Sequence, residues 1–270
     1  MASHRWYRRL AQPDMSVFVS QHPQLALKPL RPYLSRRWSM ARRCRVILHT
    51  HEIAGSLPLL REALVRPHGV RLLHGSLDGD LPFEVRLGRD PRFRKEGELV
   101  LALRSDWRGP ALCSLSLALE RLEDGTLACY LGSVQGREGG GEALKAFSRA
   151  CHGLRAHALL LHVARQLAGH LHVDVLLGAG NDIHVHRSKH LVHLSFLHRL
   201  HQDYDQLWIE CGGWLDADGW FRLPLCTARR DRSEIPARKR AQYERRYQWL
   251  ERIGTDLRAQ LEGHPLPRVA

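Results

Sequence analysis

Along the first 68 positions apolar residues recur at helical spacing and prolines interrupt them. Pro13, Pro23, Pro29 and Pro32 punctuate the first half, and helical patterns follow at residues 40–48 and 58–65. From Gly69 the pattern changes to short runs at residues 70–76, 83–87, 98–103, 111–119 and 126–134, which read as strands. Asp78-Gly79 and Glu123-Asp124-Gly125 are turn signals between them. Strands joined this tightly predict an antiparallel meander. A glycine-rich turn at residues 135–141 follows. Helical periodicity then runs over 142–171, through Leu144, Phe147, Leu159 and Val163, with Gly153 dividing it in two. The remainder predicts a strand at 173–177, a helix at 191–207, a turn at 210–214, a strand at 220–225 and a charged helix at 229–261. The fold class expected is mixed α/β (α+β), a central, mostly antiparallel sheet flanked by helices. It divides into an N-terminal helical extension (1–68), a sheet domain (69–228) and a basic C-terminal helix (229–270) packed on the domain.

Composition changes this picture in two ways. Apolar residues make up 44% of the 270, enough to bury a sizeable core and to exclude a wholly disordered chain. The 41 Lys+Arg against 28 Asp+Glu leave a formal charge of +13, which favours anionic partners: a phosphorylated ligand, an anionic membrane surface or, less favoured, nucleic acid. No recognised RNA-binding motif accompanies the charge. No apolar stretch of signal-peptide or membrane-spanning length is present, so the expected compartment is the cytoplasm, with peripheral attachment to the inner membrane left open. The six cysteines contain no C-x-x-C pair and read as reduced thiols.

A strand, a glycine-rich turn and a helix together present unpaired backbone N–H groups at a helix N-terminus, where the helix dipole favours anions. A dinucleotide site would need a parallel βαβ unit, and the preceding meander is antiparallel; the Gly-Lys-Ser/Thr of a nucleotide P-loop is absent. The pyrophosphate of an acyl-coenzyme A remains. Gln135, Gly136, Arg137, Gly139, Gly140 and Gly141 are the candidate binding residues. The same glycines also permit an ordinary tight strand-to-helix turn. Arg137-Glu138-Gly139-Gly140-Gly141-Glu142 resembles in part the loop of the GNAT acyltransferase superfamily, with Glu142 where that loop has a small residue. The order of elements, antiparallel strands, loop, helix, strand, helix, strand, is also similar to GNAT. The resemblance implies acetyl- or acyl-coenzyme A as cofactor. It also implies a cleft at the glycine turn, where the strand before Gln135 parts from the strand at Val173.

A second resemblance rests on separated motifs: Arg31-Pro32-Tyr33-Leu34, Lys95-Glu96-Gly97-Glu98-Leu99, Leu131-Gly132-Ser133-Val134-Gln135-Gly136, Cys151-His152-Gly153-Leu154-Arg155 and Tyr204-Asp205-Gln206-Leu207-Trp208-Ile209-Glu210. Over roughly residues 30–250 the chain resembles the VirK/YbjX family of bacterial proteins. Membership implies a role in the envelope, in virulence and in resistance to antimicrobial peptides, without naming a reaction.

Candidate chemistry comes from the residues themselves and from the GNAT resemblance. Glu98, or Glu96 on the same face of an extended segment, is a candidate base. Tyr204 is the candidate proton donor to a leaving thiolate, a role the GNAT resemblance implies, although its i, i+4 spacing to Trp208 also suits core packing. His152 has the unperturbed range of a general base. His184, His186, His190 and His193 form a cluster, three of them on one face if helical, but with only Asp182 as an acidic neighbour no metal is expected. The basic–aromatic stretch from Lys28 to Arg43, with Tyr33 and Trp38, and the arginine-rich C-terminal helix are the surfaces suited to anionic lipid or RNA.

Overall fold

The computed structural model describes residues 2–78, 80–105, 109–187, 202–227 and 229–264. The chain starts with four helices, α1 (Ala2–Leu10), α2 (Pro13–Gln21), α3 (Met40–Ser56) and α4 (Pro58–Val65), with a 3-10 stretch at Pro23–Leu30. Proline opens α2, the 3-10 stretch and α4, where its missing N–H costs nothing. Ser39 caps α3 by accepting the Arg42 N–H. Strands β1 (Val70–Ser76), β2 (Pro82–Gly88), β3 (Leu99–Arg104), β4 (Cys113–Arg121) and β5 (Leu127–Gly136) form the expected antiparallel meander. Helices α5 (Gly141–Ala150) and α6 (Ala156–His170) then lead to β6 (Val175–Ala179). Helix α7 (Tyr204–Glu210), the hairpin β7 (Trp214–Leu215) and β8 (Trp220–Leu223), and α8 (Arg240–Glu262) complete the described chain.

Among the described residues the strands make one eight-stranded sheet in the order β1-β2-β3-β4-β5-β6-β8-β7. Neighbours are antiparallel except β5 and β6, which run parallel. The mostly antiparallel mixed sheet with flanking helices is the fold class expected, and the order of elements is the anticipated one. Three expectations need correction. The C-terminal helix begins at Arg240, not 229, because Pro236 has no N–H for an incoming helix and holds Ile235 extended; only short 3-10 turns precede it. Glu96 and Glu98 do not share the face of an extended segment: residues 94–96 turn, and β3 starts at Leu99. His184 and His186 lie in a bridge and a 3-10 turn, not on a helix, while His190, His193 and most of the helix expected at 191–207 lie outside the described residues.

The two faces of the sheet differ. One carries Val85, Leu87, Leu99, Leu101, Leu103, Leu115, Leu117 and Leu131, all buried, and helix α6 packs across β3, β4 and β5 there. Trp249 of α8 meets Phe83 on that side. The other face carries Ser114, Ser116 and Ser133, also buried, then Ala118, Glu120 and Tyr130. Helix α3 spans its lower part: Arg42 holds both Glu120 oxygens at 2.7 and 2.6 Å and also donates to Tyr130. One hydrophobic cluster runs from Trp6 through the sheet to Leu261, so the three sequence segments share a core. All six cysteines are free, and burial pushes the thiols of Cys113, Cys129 and Cys151 up to about 12. No helix among the described residues is long and apolar enough to cross a membrane.

Candidate functional site

The polar face becomes a site where β5 and β6 part. Their parallel pairing covers only Ala128–Leu131 against Val175–Gly178. Strand β6 ends at Ala179, while β5 runs on to Gly136. A bulge lies at the parting point: the β4 register steps from Leu117↔Leu131 to Ser116↔Ser133, leaving Gly132 as the extra residue. Gly132 has to be glycine, because a Cβ would overlap the Glu96 carbonyl oxygen and lie 2.7 Å from Leu34. The backbone of the 94–98 turn therefore sits directly on the bulge, and the Ser116 hydroxyl donates to the Glu96 carbonyl at 3.1 Å.

Below the parting point the gap is filled by rings. Tyr204 is 2% exposed and its hydroxyl donates to the Val134 carbonyl at 3.3 Å. It stacks on His184 at 4.5 Å and 12°. Asp203 caps α7, and Asn181 ties the helix to the end of β6 by accepting the Tyr204 N–H at 3.0 Å. Burial raises the Tyr204 phenol well above its ordinary value, so it keeps its proton. Burial, with help from His186, lowers His184 to about 3, so its ring is neutral. The expected parting of strands is present, but its base is plugged.

Above the plug, Gln135 to Gly139 are exposed. Gly136 still pairs with Cys113, and the Arg137 N–H donates to the Leu112 carbonyl at 2.9 Å. Gly139 takes φ 67°, and Gly140 closes the turn onto the Arg137 carbonyl at 3.0 Å. The first intrahelical bond of α5 runs from the Leu144 N–H to the Gly140 carbonyl, which leaves the amides of Gly141, Glu142 and Ala143 as the unpaired donors of a first turn. Glu142 does not cover them: it lies exposed on the helix flank, 2.8 Å from Lys145.

Two buried carboxylates leave the 94–98 turn in different directions. Glu96, 1% exposed, pairs with His186 Nε2 and accepts from Gln135 Nε2 at 3.5 Å. His186 is 21% exposed, so this pair joins a buried acid to an imidazole at the surface, beside the end of β5. Glu98, also 1% exposed, contacts Lys28 Nζ at 2.6 Å and lies 4.0 Å from His51 Nε2. Lys28 also donates to the Gly97 carbonyl at 3.3 Å and sits 4.8 Å over the Tyr33 ring. Burial alone would raise the Glu98 carboxyl, but Lys28, His51 and Arg89 together outweigh it and hold it below the usual range. Glu98 is thus an ionised, sealed member of an ion cluster.

The structure brings Gln135, Gly136, Arg137, Gly139, Gly140 and Gly141 together at the mouth of the gap, with Tyr204 beneath. Glu98 is set back behind Lys28. His152 is elsewhere: it sits at φ 51° between α5 and α6, its ring 3.5 Å from Asp78 and its carbonyl held by Arg246 at 2.9 Å. Sequence reasoning missed His51 and the pairing of Glu96 with His186. Those two residues are 90 positions apart, and no local spacing announces them.

The family model described as "Protein of unknown function (DUF535)" matches residues 1–259. The chain belongs to this family. The DUF535 chain is 26% identical over 266 residues to the uncharacterized protein YbjX of Escherichia coli (strain K12), covering 97% of this chain and 79% of that one. It is 29% identical over 245 residues to an uncharacterized protein of Haemophilus influenzae, covering 87% and 78%. The VirK/YbjX resemblance thus holds over nearly the whole chain, including the N-terminal segment that supplies Lys28, Tyr33 and His51. No solved structure matches.

Proposed function

We propose that this DUF535 protein is an acyl-coenzyme A-dependent acyltransferase acting on an amine or hydroxyl group in the bacterial envelope. One observation carries the reading: β5 and β6 pair for four residues, part at the Gly132 bulge, and β5 then runs into an exposed glycine turn at a helix N-terminus. Pyrophosphate is received by the amides at the start of α5 and by Arg137. The edge of β5 near Gln135 receives the amide arm of the thioester. His186, oriented by Glu96, accepts the proton of the attacking amine or hydroxyl; a buried carboxylate behind an imidazole fixes its tautomer and orientation. The new C–N or C–O bond forms as the C–S bond breaks, and the thiolate takes its proton from Tyr204. The base is therefore assigned to His186 with Glu96, in place of Glu98, whose charge is committed to Lys28. Acetyl- or acyl-coenzyme A is the expected cofactor. The residues at the turn suit it in donor type, and Glu142 points away from them.

Titration calorimetry with acetyl- and palmitoyl-coenzyme A tests the proposal. Binding of either, weakened by Arg137→Gln, supports it; heat-silent titration of folded protein by both rejects it. Given turnover, His186→Ala is expected to lower kcat about 100-fold or more with little change in donor affinity.

A second reading, a non-catalytic envelope factor docked on anionic membrane, is favoured by Ile209, Trp214 and Leu215. These are 56%, 58% and 58% exposed, with Trp214 facing Arg222 across the β7–β8 pair. Liposome co-sedimentation that ignores anionic lipid content counts against it.

A further inference from the structure

The polar face of the sheet holds a second recess, over β2 and β3, two strands away from the β5/β6 gap. Its volume is about 300 Å³. That is the lower end of small-ligand pockets and suits a phosphoryl group with a small substituent. Arg86, Arg89 and Arg104 line it, together with Asp90 and the small floor residues Gly88 and Ala102. The alternation of the strands explains the grouping. Glu84, Arg86 and Gly88 of β2 face the same side as Arg104, Ala102 and Val100 of β3, their cross-strand partners.

The three guanidiniums are not equivalent. Arg86 is fixed by the His68 carbonyl at 2.7 Å and answered by Glu84 at 3.3 Å. Asp90, the acid of the lining, is occupied by Arg92 at 2.6 Å, and its Oδ1 also accepts the Arg92 N–H at 2.9 Å. Arg104 donates to the Gly109 carbonyl, but its Nε is buried without a hydrogen-bond partner among the described residues. Arg89 is half-buried and has no hydrogen bond or ion pair among the described residues. Burial lowers its pKa, and the Glu98 charge acts against the shift. A guanidinium stripped of water and given no acceptor is costly. Neither Arg89 nor Arg104 has a carboxylate in ion-pair contact among the described residues; Glu98 acts on Arg89, and Asp90 on Arg104, only through the field. Guanidinium forks are the side chains that bind phosphate oxygens in pairs, so the two together suit a phosphoryl dianion.

We propose that the recess between β2, β3 and the residue 89–90 corner is a binding site for a phosphate monoester, with Arg89 and Arg104 as its ligands. The ester is either a free small molecule or a lipid headgroup. The site stands apart from the glycine turn, and the proposal does not need the acyl-transfer reading, because it is tested without an acyl donor.

Calorimetry of the full chain with inorganic phosphate and with glycerol phosphate is the experiment, repeated on Arg89→Gln, Arg104→Gln and Arg137→Gln. The expected result is one phosphate per chain, weakened at least 10-fold by Arg89→Gln or Arg104→Gln and unchanged by Arg137→Gln. Should one recess variant fail to fold, the other carries the test. Flotation with vesicles containing phosphatidic acid, against phosphatidylcholine alone, separates the two sources. Arg89-dependent vesicle binding assigns a lipid headgroup, and soluble binding alone assigns a free ester. Absence of phosphate binding, binding insensitive to both recess variants, or loss with Arg137→Gln alone overturns the proposal.

Discussion

The glycine turn and the carboxylate turn lie near each other at one end of the sheet, and they are built in opposite ways. Residues 135–141 are contiguous and, apart from the buried Gly140, exposed, and they offer backbone donors with few side chains in the way. Residues 96–98 are buried, carry two acids, and draw their ion-pair partners from far along the chain: Lys28, His51 and His186. The first turn is a local device, built from neighbours in the chain. The second exists only after the N-terminal helices and the segment after β6 have folded onto the sheet. A glycine turn alone is compatible with many functions. Its proximity to a buried acid that orients a surface imidazole is what narrows the reading to proton transfer beside a bound anion.

The largest expected effect falls on the buried turn. Glu98→Gln leaves Lys28 without its carboxylate in a sealed site and should cost about 3–5 kcal/mol in urea denaturation. The double variant Lys28→Met/Glu98→Leu should recover most of that loss, because neither charge then remains to be desolvated. A cost below about 1 kcal/mol for Glu98→Gln would show that the cluster does not hold the turn.

Acidification should act on the same region. His184 has a folded value of about 3 against an ordinary 6.5. The folded state refuses a proton that the unfolded chain accepts. The resulting stabilisation is complete above pH 6.5 and is withdrawn as pH falls toward 3; the full shift corresponds to on the order of 5 kcal/mol. His51, lowered mainly by burial, adds in the same direction. Glu98, held below its ordinary 4.5, adds a further loss at lower pH. In His184→Phe, which keeps a ring against Tyr204, the fall in stability between pH 6.5 and 3.5 should be visibly shallower. An unchanged slope would place the acid sensitivity elsewhere.

Glycine substitutions sharpen the comparison at lower cost. Gly132→Ala drives a Cβ into the Glu96 backbone and should destabilise by about 3 kcal/mol, disturbing the carboxylate turn from the β5 side. Gly139→Ala meets no atom within 4 Å but must hold φ 67°, a strain of about 1 kcal/mol. Gly141→Ala, at the first position of α5 with open space and an ordinary φ, should be neutral or stabilise by up to about 1 kcal/mol. Thermal melts of the three, ranked in this order, check the assignment; a Gly139→Ala cost equal to that of Gly132→Ala would contradict it.

The sequence made local features readable. Strand β1 and helix α4 occupy the ranges that periodicity predicts, and the break at Gly153 separates α5 from α6 as expected. Proline misled only where its effect reached backward, at Pro236, which delays α8 to Arg240. The glycine turn was readable for the same reason, since its residues are neighbours in the chain. The other half of the site was not. Glu96 and Glu98 looked like one charged strand entry because the turn at 94–96 depends on the Gly132 bulge beneath it. His186 looked like part of a histidine run, and Lys28 and Tyr33 like part of a basic–aromatic stretch suited to anionic lipid or RNA. Their burial depends on which helices cover the polar face of the sheet, and periodicity within one segment does not encode that.

The most direct test is hydrogen–deuterium exchange with and without a coenzyme A thioester. The account predicts slower exchange confined to the amides of residues 138–143 and the neighbouring end of β5, with Arg137→Gln abolishing the change. Unchanged exchange at the glycine turn while the thioester is bound, with protection appearing elsewhere, would contradict it.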